Sequence, residues 1–511
     1  MAGSVWRKKP IAAFEADMKK SELKRVLGKW SLTAIGVGAI IGGGIFVLTG
    51  TGAYYHAGPA LSLSFIIAGI ACVFAALCYS EFASVLPVEG SAYAYAYGTI
   101  GEILAWIIGW GLILEYAMGS MTVAVSWSGY FNKLLKVFGI KLPEWLTTDP
   151  ASYTGSGFSM NLPAFLIVIL VIGILLRGTK GASKANNFIV ILKVAAVLFV
   201  IIAGLFFINM ANWSPFIPEV KQIISENGTQ SAYGVTGIIS GAAAIFFAYV
   251  GFDAVSTQAG EAINPKKDVP FAIVASLLIC TFLYICVSLV LTGMMNYQDF
   301  DPKGAYPDAI KAPVAYAFDI AGQKWASTLI TIAATIGLVS VLMVMIMGQS
   351  RIFLGMSKDG LIPKVFSRIN PISGTPQRNL MILGVVIATV AAFTPINKLA
   401  DMTSFGTLFA FMMVCIAVWV LRKKEPNLPR SFKVPALPVI ATLGILINIF
   451  LMWNLSLDAQ LLSLSWLAIG IVIYFLYSRR KSHLNHYNLD QSITGHEIDT
   501  SSENLNDEDD K

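Results

Sequence analysis

Residues 35–52 read IGVGAIIGGGIFVLTGTG, an apolar run that is long enough to lie across a membrane. Three consecutive glycines, Gly42, Gly43 and Gly44, stand near its middle. Because each glycine weakens a helix by about 1 kcal/mol relative to alanine, three in a row predict an interruption of this helix. The open alternative is a continuous helix in which Gly38 and Gly42 allow close packing against a neighbouring helix.

An interrupted helix at membrane depth predicts a binding site made of backbone groups. Backbone that leaves the helical conformation there is stable only where protein or a water-filled cavity surrounds it. The first half-helix ends in carbonyl groups, and the second half-helix begins with N–H groups. Such N–H groups bind a carboxylate, and such carbonyls bind an ammonium group or a cation.

The composition indicates an all-α polytopic membrane protein. Hydrophobic residues make up 56% of the 511 residues and charged residues only 13%, whereas a soluble domain carries about 25% charged residues. We predict twelve transmembrane helices, each with an apolar segment suited to the thickness of a bilayer. They lie at residues 31–53, 60–80, 99–128, 162–177, 185–208, 236–259, 270–294, 325–349, 379–395, 399–421, 435–455 and 463–478.

The basic residues predict the orientation of the chain. Most of the 36 Lys and Arg residues fall in cytoplasmic segments when both termini are placed inside, as the positive-inside rule requires. This topology predicts a multi-pass protein of the cell membrane and accounts for the basic excess, so we expect no nucleic-acid partner. All five cysteines lie in predicted spans without metal-ligand spacing, so we expect neither a metal site nor a disulfide framework.

The sixth span carries a second irregularity that matches the first. It contains FFAYVGFDAVS, residues Phe246–Ser256, with Gly251 and Asp253 in an otherwise apolar run. Interrupted segments five spans apart are what an inverted repeat of five plus five helices predicts. The chain then divides into an N-terminal segment (1–28), a core of helices 1–10 (29–425), helices 11 and 12 (426–480) and a disordered cytoplasmic tail (481–511).

Three ionisable side chains lie deep in predicted spans: Glu115, Lys193 and Asp253. Each costs about 2.5–3.5 kcal/mol at the centre of a membrane on insertion scales, which predicts an inward position with a partner. Lys193 is a candidate for proton binding and release; the alternative is a static ammonium group that ties the carbonyls of a broken helix. Asp253 is predicted to hold the second gap by accepting hydrogen bonds from it; contact with the substrate is the alternative. Glu115 either stabilises a neighbouring span or approaches the substrate pathway.

One segment departs from the charge rule. Residues 80–100 contain Glu81 and Glu89 and the alternating YAYAY of Tyr93–Tyr97, without any Lys or Arg. We predict a packed cytoplasmic loop here, with a structural or gating role.

The chain resembles the amino acid–polyamine–organocation superfamily, in particular bacterial members of its cationic amino acid transporter branch, over residues 28–480. Six motifs carry the resemblance together, in this order and spacing. They are GVGAIIGGGIF (36–46), HAGPA (56–60), SEFASVLPVEGSAYAYAY (80–97), FFAYVGFDAVS (246–256), EAINPKKDVP (261–270) and SKDGLIPKVFSRI (357–369).

The resemblance implies a LeuT-like fold in which helices 1 and 6 are broken. It also implies roles for the residues at the two breaks. The N–H groups of Gly43 and Gly44 are expected to bind the α-carboxylate of an amino acid, with Gly42 and Gly251 as part of the same site. The carbonyls of Ile40, Phe247 and Val250 are expected to bind the α-amino group, with Phe247 as an aromatic gate.

By the same resemblance, Lys193 takes the place of the sodium ion of sodium-coupled relatives, which implies proton coupling. Relatives often carry a hydroxyl residue at the position of Gly43, and this chain has none there. The substrate carboxylate then lacks a side-chain hydrogen bond, and the pocket has room for a larger side chain.

The function implied is the import of neutral, apolar L-amino acids by proton symport and alternating access, without a cofactor. Amino acid exchange and transport of cationic amino acids are the alternatives. A membrane-bound enzyme is disfavoured because none of the four histidines lies deep in a span and no catalytic constellation is present. The expected partners are the L-amino acid, protons and the lipid bilayer, and the expected state is a monomer or a weak oligomer.

Overall fold

A computed structural model of the chain describes residues 6–9, 27–85, 91–177, 182–225, 228–256, 262–370 and 375–485. Most of the predicted N-terminal segment, Glu89 and the tail from residue 486 lie outside the described residues.

The described chain is mostly helical. In chain order its helices are α1 (Lys29–Ile40), α2 (Gly43–Phe46), α3 (Leu48–Gly52), α4 (Leu61–Val85), α5 (Ser91–Thr99), α6 (Glu102–Val137), α7 (Leu162–Leu176), α8 (Ala182–Gly204), α9 (Gly234–Ala244), α10 (Pro265–Met294), α11 (Pro313–Ile320), α12 (Lys324–Lys358), α13 (Gln377–Phe393), α14 (Ile396–Lys424), α15 (Leu437–Trp453), α16 (Leu457–Ile473) and α17 (Arg479–Lys481). One antiparallel hairpin, β1 (Lys221–Ser225) and β2 (Gly228–Ala232), departs from the predicted all-α class.

Eight helical segments of the described chain are long and apolar enough to cross a membrane, and three shorter apolar helices accompany them. The long segments are Leu48–Val85, Glu102–Val137, Phe188–Phe207, Gly234–Ser256, Pro265–Met294, Lys324–Lys358, Ile396–Lys424 and Leu457–Lys481; the shorter helices are α7, α13 and α15. A multi-pass membrane protein is therefore confirmed at this level. Helices also lie in all twelve predicted ranges, although α6 and α12 continue well beyond their predicted ends.

The prediction of a loop over residues 80–100 is wrong for most of that range. Helix α4 continues to Val85, and residues 91–99 form helix α5. The prediction of a packed segment fits better, since Tyr93, Tyr95 and Tyr97 are all buried. A helix that is surrounded by protein needs no polar face, and Tyr93 and Tyr97 stack four residues apart, as helical neighbours do.

The acidic residues near this segment pair with basic residues from distant parts of the chain. Glu81 is fully buried and forms ion pairs with Arg422 and Arg430, which lie at and beyond the end of α14. Glu102 is also fully buried and pairs with Arg7 at 3.1 Å. The acidic side chains are therefore neutralised by arginine residues from other parts of the chain, although residues 80–100 contain no Lys or Arg.

Two groups of helices pack closely within the described part of the chain. Helix α10 packs along α1 and α4, and helix α6 packs along α12 and α14. The two groups meet around the breaks in the first and sixth predicted spans, where the candidate site lies.

Candidate functional site

The first predicted span is interrupted in the middle of the glycine run. Helix α1 ends at Ile40, Ile41 is extended (φ −69°, ψ 100°), Gly42 has φ −150° and ψ −147°, and α2 begins at Gly43. Within the described chain, the N–H groups of Gly43, Gly44 and Ile45 donate to no acceptor. The gap therefore presents unpaired N–H donors, the groups that a carboxylate binds.

The carbonyls on the other side of the gap are held by a lysine. Lys193, on α8, is 1% exposed, and its Nζ donates to Gly38 O and, at 3.1 Å, to Ile41 O. An ammonium group in this position satisfies carbonyls that an uninterrupted helix would have bonded to its own N–H groups.

The sixth predicted span is interrupted in the same way. Helix α9 ends at Ala244, a 3₁₀ turn covers Ile245–Tyr249, Val250 is extended (φ −59°, ψ 132°) and Gly251 has φ +118°. Only glycine adopts that last conformation readily. In addition, a Cβ atom on Gly251 would lie 2.9 Å from the carbonyl group of Ala39, so the chain needs glycine here for two reasons.

The two breaks touch each other. A Cβ atom added to Gly44 would lie 2.2 Å from Cα of Ala248, so the backbones of the first and sixth spans are in direct contact there. Ile40, the three glycines, Phe247, Val250 and Gly251 are therefore gathered at one crossing.

A tyrosine that the sequence analysis missed joins the two breaks. Tyr284 on α10 is fully buried, and its hydroxyl lies 2.8 Å from Ile40 O and 3.0 Å from Ala248 O. One hydroxyl thus lies against carbonyls of both interrupted spans. No local pattern marks this residue, since Tyr284 lies in an ordinary apolar helix far from both motifs.

Phe247 lies between the first break and helix α6. Its N–H donates to Ser404 Oγ at 3.1 Å and its carbonyl accepts from Val250 N at 3.0 Å. A Cβ atom on Gly43 or on Gly119 would lie 3.7 Å from the edge of its ring.

The surroundings of Gly119 are mostly apolar. The same added Cβ atom on Gly119 would lie 3.5 Å from the methyl group of Thr403 and 3.6 Å from the sulfur of Met345. The groups packed around Gly119 and the Phe247 ring are therefore methyl, thioether and aromatic groups.

Asp253 and Glu115 lie together, past the second break. Asp253 accepts a hydrogen bond from the Tyr116 hydroxyl at 3.0 Å, and its carboxyl group lies close to the backbone N–H groups of Gly251 and Ala254. Glu115 is fully buried, and its carboxyl group faces Asp253 and Thr407. This arrangement places Glu115 next to the polar end of the second break.

Comparison with known proteins identifies the family of this chain. The amino acid permease family model matches residues 27–477. The chain belongs to the amino acid permease family. The predicted resemblance is thereby confirmed, and family membership points to a transporter rather than an enzyme.

Relatives within the family carry different names. The branched-chain amino acid permease BcaP of Bacillus subtilis is 45% identical over 486 residues, which cover 95% of this chain and all of the relative. A methylthioribose transporter of the same organism is 43% identical and covers 94% of this chain and 99% of its own. The vacuolar cationic amino acid transporter 2 of Arabidopsis thaliana is 38% identical over 84% of this chain and 65% of its own.

The contact between the two breaks makes a prediction about stability. Gly44→Ala forces a methyl group against the backbone of Ala248, so we expect it to destabilise the folded protein by about 1–3 kcal/mol, the usual cost of overpacking. The measurement is the melting temperature of purified protein in detergent. Gly173→Ala on α7 is the control, because a Cβ atom there meets nothing within 4 Å. A Gly44→Ala variant that melts with the wild type would contradict the observed crossing.

Proposed function

We propose that this protein is a secondary active transporter that imports neutral L-amino acids by proton symport. The observation that carries the proposal is the crossing of two interrupted spans, where unpaired N–H groups of the first span lie near carbonyl groups of both spans. The α-carboxylate of an amino acid can accept hydrogen bonds from the N–H groups, and its α-ammonium group can donate to the carbonyls.

In this proposal the carboxylate binds the N–H groups of Gly43 and Gly44, beside Gly42. The α-amino group binds the carbonyls of Ile40, Phe247 and Val250. Tyr284 already donates to Ile40 O, and Val250 N donates to Phe247 O. A carbonyl oxygen has two lone pairs, so both remain able to accept from a substrate.

The preference for neutral side chains rests on the apolar groups beside the Phe247 ring. Met345 and the methyl group of Thr403 lie beside Gly119, next to that ring, and burial of apolar surface favours an apolar substrate side chain. The name of the branched-chain relative agrees with this preference. Another relative is named a methylthioribose transporter. That sugar is a useful comparison substrate, because it has neither a carboxylate nor an ammonium group for the backbone sites.

Lys193 is proposed to couple transport to protons. Protonated, its ammonium group holds Gly38 O and Ile41 O and keeps the first span in its broken shape. Loss of the proton removes the charge that these carbonyls stabilise, which favours a different arrangement of the first span. Alternation between the two forms then links proton release to substrate release.

The proposed architecture is the twelve-helix inverted repeat of five plus five, with both termini in the cytoplasm of a cell-membrane protein. Residues 29–425 form the repeat, and helices 11 and 12 follow in residues 426–480.

During transport, spans 1, 2, 6 and 7 rock against spans 3, 4, 5, 8, 9 and 10. The close packing of α10 along α1 and α4, and of α6 along α12 and α14, supports this division. Asp253 and Glu115 support the second break from one side, and the protein works as a monomer or a weak oligomer.

Uptake by the purified protein in liposomes tests the function directly. The panel contains leucine, isoleucine, valine, alanine, arginine and methylthioribose, each with and without an inward proton gradient and with sodium present or absent. We expect gradient-driven accumulation of the branched or small neutral amino acids without sodium. Exchange that ignores the gradient would favour an antiporter, arginine uptake would favour a cationic substrate, and a strict need for sodium would contradict the role given to Lys193.

The coupling role of Lys193 has its own test. We expect Lys193→Ala to abolish accumulation of the amino acid against a gradient, because alanine carries no proton to couple. Substrate binding should be reduced much less than accumulation. Binding is measured on the same preparation by isothermal calorimetry. Lys303→Ala serves as the control, since that side chain is exposed in a connecting loop. Unchanged accumulation by the Lys193 variant would contradict proton coupling through this residue.

A further inference from the structure

Ser126, on helix α6, has a hydroxyl group without an evident structural purpose. The residue is 1% exposed, and within the described chain its Oγ has no hydrogen-bond partner. Buried hydroxyl groups are nearly always bonded, since an unpaired one costs free energy.

Other hydroxyls on the same helix are satisfied. Ser120 donates to Tyr116 O at 2.7 Å, Thr122 donates to Met118 O at 2.8 Å, and Ser128 donates to Asn161 Oδ1 at 2.6 Å. Ser126 is different because its hydroxyl is turned towards the first break. A Cβ atom built on Gly43 would lie only 2.8 Å from Ser126 Oγ.

The geometry points to Ser126 as a substrate-binding residue: we propose that its hydroxyl donates a hydrogen bond to the carboxylate of the bound amino acid. The proposal rests on the proposed function, since it adds a donor to the same carboxylate site. Ser126 Oγ lies where a side chain on Gly43 would begin, beside the unpaired N–H groups of Gly43 and Gly44. A carboxylate held there satisfies the hydroxyl and the N–H groups together.

The same contact limits which residue can stand at position 43. A hydroxyl residue at position 43 and a serine at position 126 would compete for the same space, because the Cβ atom of the first would press on the second. The chain therefore supplies the hydroxyl from α6 and keeps glycine on the first span.

The test begins with Ser126→Ala. We expect the Kd for the transported amino acid to rise about tenfold, which is the usual effect of removing one hydrogen bond to a charged group. The melting temperature of the ligand-free protein should stay the same or rise, because an unsatisfied buried hydroxyl has been removed. A residue with a merely structural role would show the opposite pattern: a lower melting temperature and an unchanged Kd.

Ser120→Ala is the matched control. It removes an equally buried hydroxyl from the same helix, but one that is bonded to its own backbone, so we expect an unchanged Kd.

Moving the hydroxyl from position 126 to position 43 separates the loss of this hydrogen bond from a general loss of affinity. Gly43→Ser alone should abolish binding, because the new side chain meets Ser126. The double variant Gly43→Ser, Ser126→Gly returns one hydroxyl to the same place from the other helix, and we expect its Kd to lie within about threefold of the wild type. An unchanged Kd in Ser126→Ala, or a double variant no better than Gly43→Ser, overturns the proposal.

Failure of the proposed function gives a different result. If the wild type binds no amino acid, the transport proposal itself is wrong. If the wild type binds an amino acid and Ser126→Ala binds it equally well, only the role of Ser126 is wrong.

Discussion

The structure depends on one constraint: peptide groups released from a helix inside an apolar protein must find other partners. Water is scarce at that depth, and each unsatisfied group costs several kcal/mol in a membrane, roughly as much as a single core residue contributes. At the first break the carbonyl side is already satisfied, by the ammonium group of Lys193 and the hydroxyl of Tyr284. The N–H groups of Gly43 and Gly44 have no such partner, and this imbalance is the basis of the proposed carboxylate site.

The second requirement is close contact between the two broken spans. Gly44 lies directly against the backbone of Ala248, and Gly251 lies against Ala39. Tyr284 joins the same two spans from α10. A head group bound at the crossing therefore touches both spans at once, so binding is sensitive to any movement of one span against the other. Alternating access requires that sensitivity.

Much of this was predictable from local sequence. Glycine in the middle of an apolar segment weakens a helix whatever surrounds it, so the interruption near Gly42 follows from residues that adjoin it. A charge in an apolar span demands a partner, so the inward position of Lys193 also follows. The apolar segments correctly predicted a helix in each range, although α6 and α12 extend beyond their apolar parts and α9 ends early, at the second break.

Long-range contacts were not predictable. The approach of Ser126 to Gly43, the bridge made by Tyr284 and the pairing of Glu81 with Arg422 join residues that are far apart in the chain. A serine or tyrosine in an apolar helix looks the same in sequence whether its hydroxyl bonds its own backbone or a ligand. Helix α5 was missed for a related reason, because burial on all sides removes the apolar periodicity by which a helix is recognised.

A density map of the protein with a bound amino acid tests whether the two broken spans hold the head group of the substrate. We expect a carboxylate within hydrogen-bonding distance of the N–H groups of Gly43 and Gly44, with the Lys193 ammonium group on Gly38 O and Ile41 O. A first helix that continues unbroken through Gly42–Gly44, or a substrate bound away from the crossing, would contradict it.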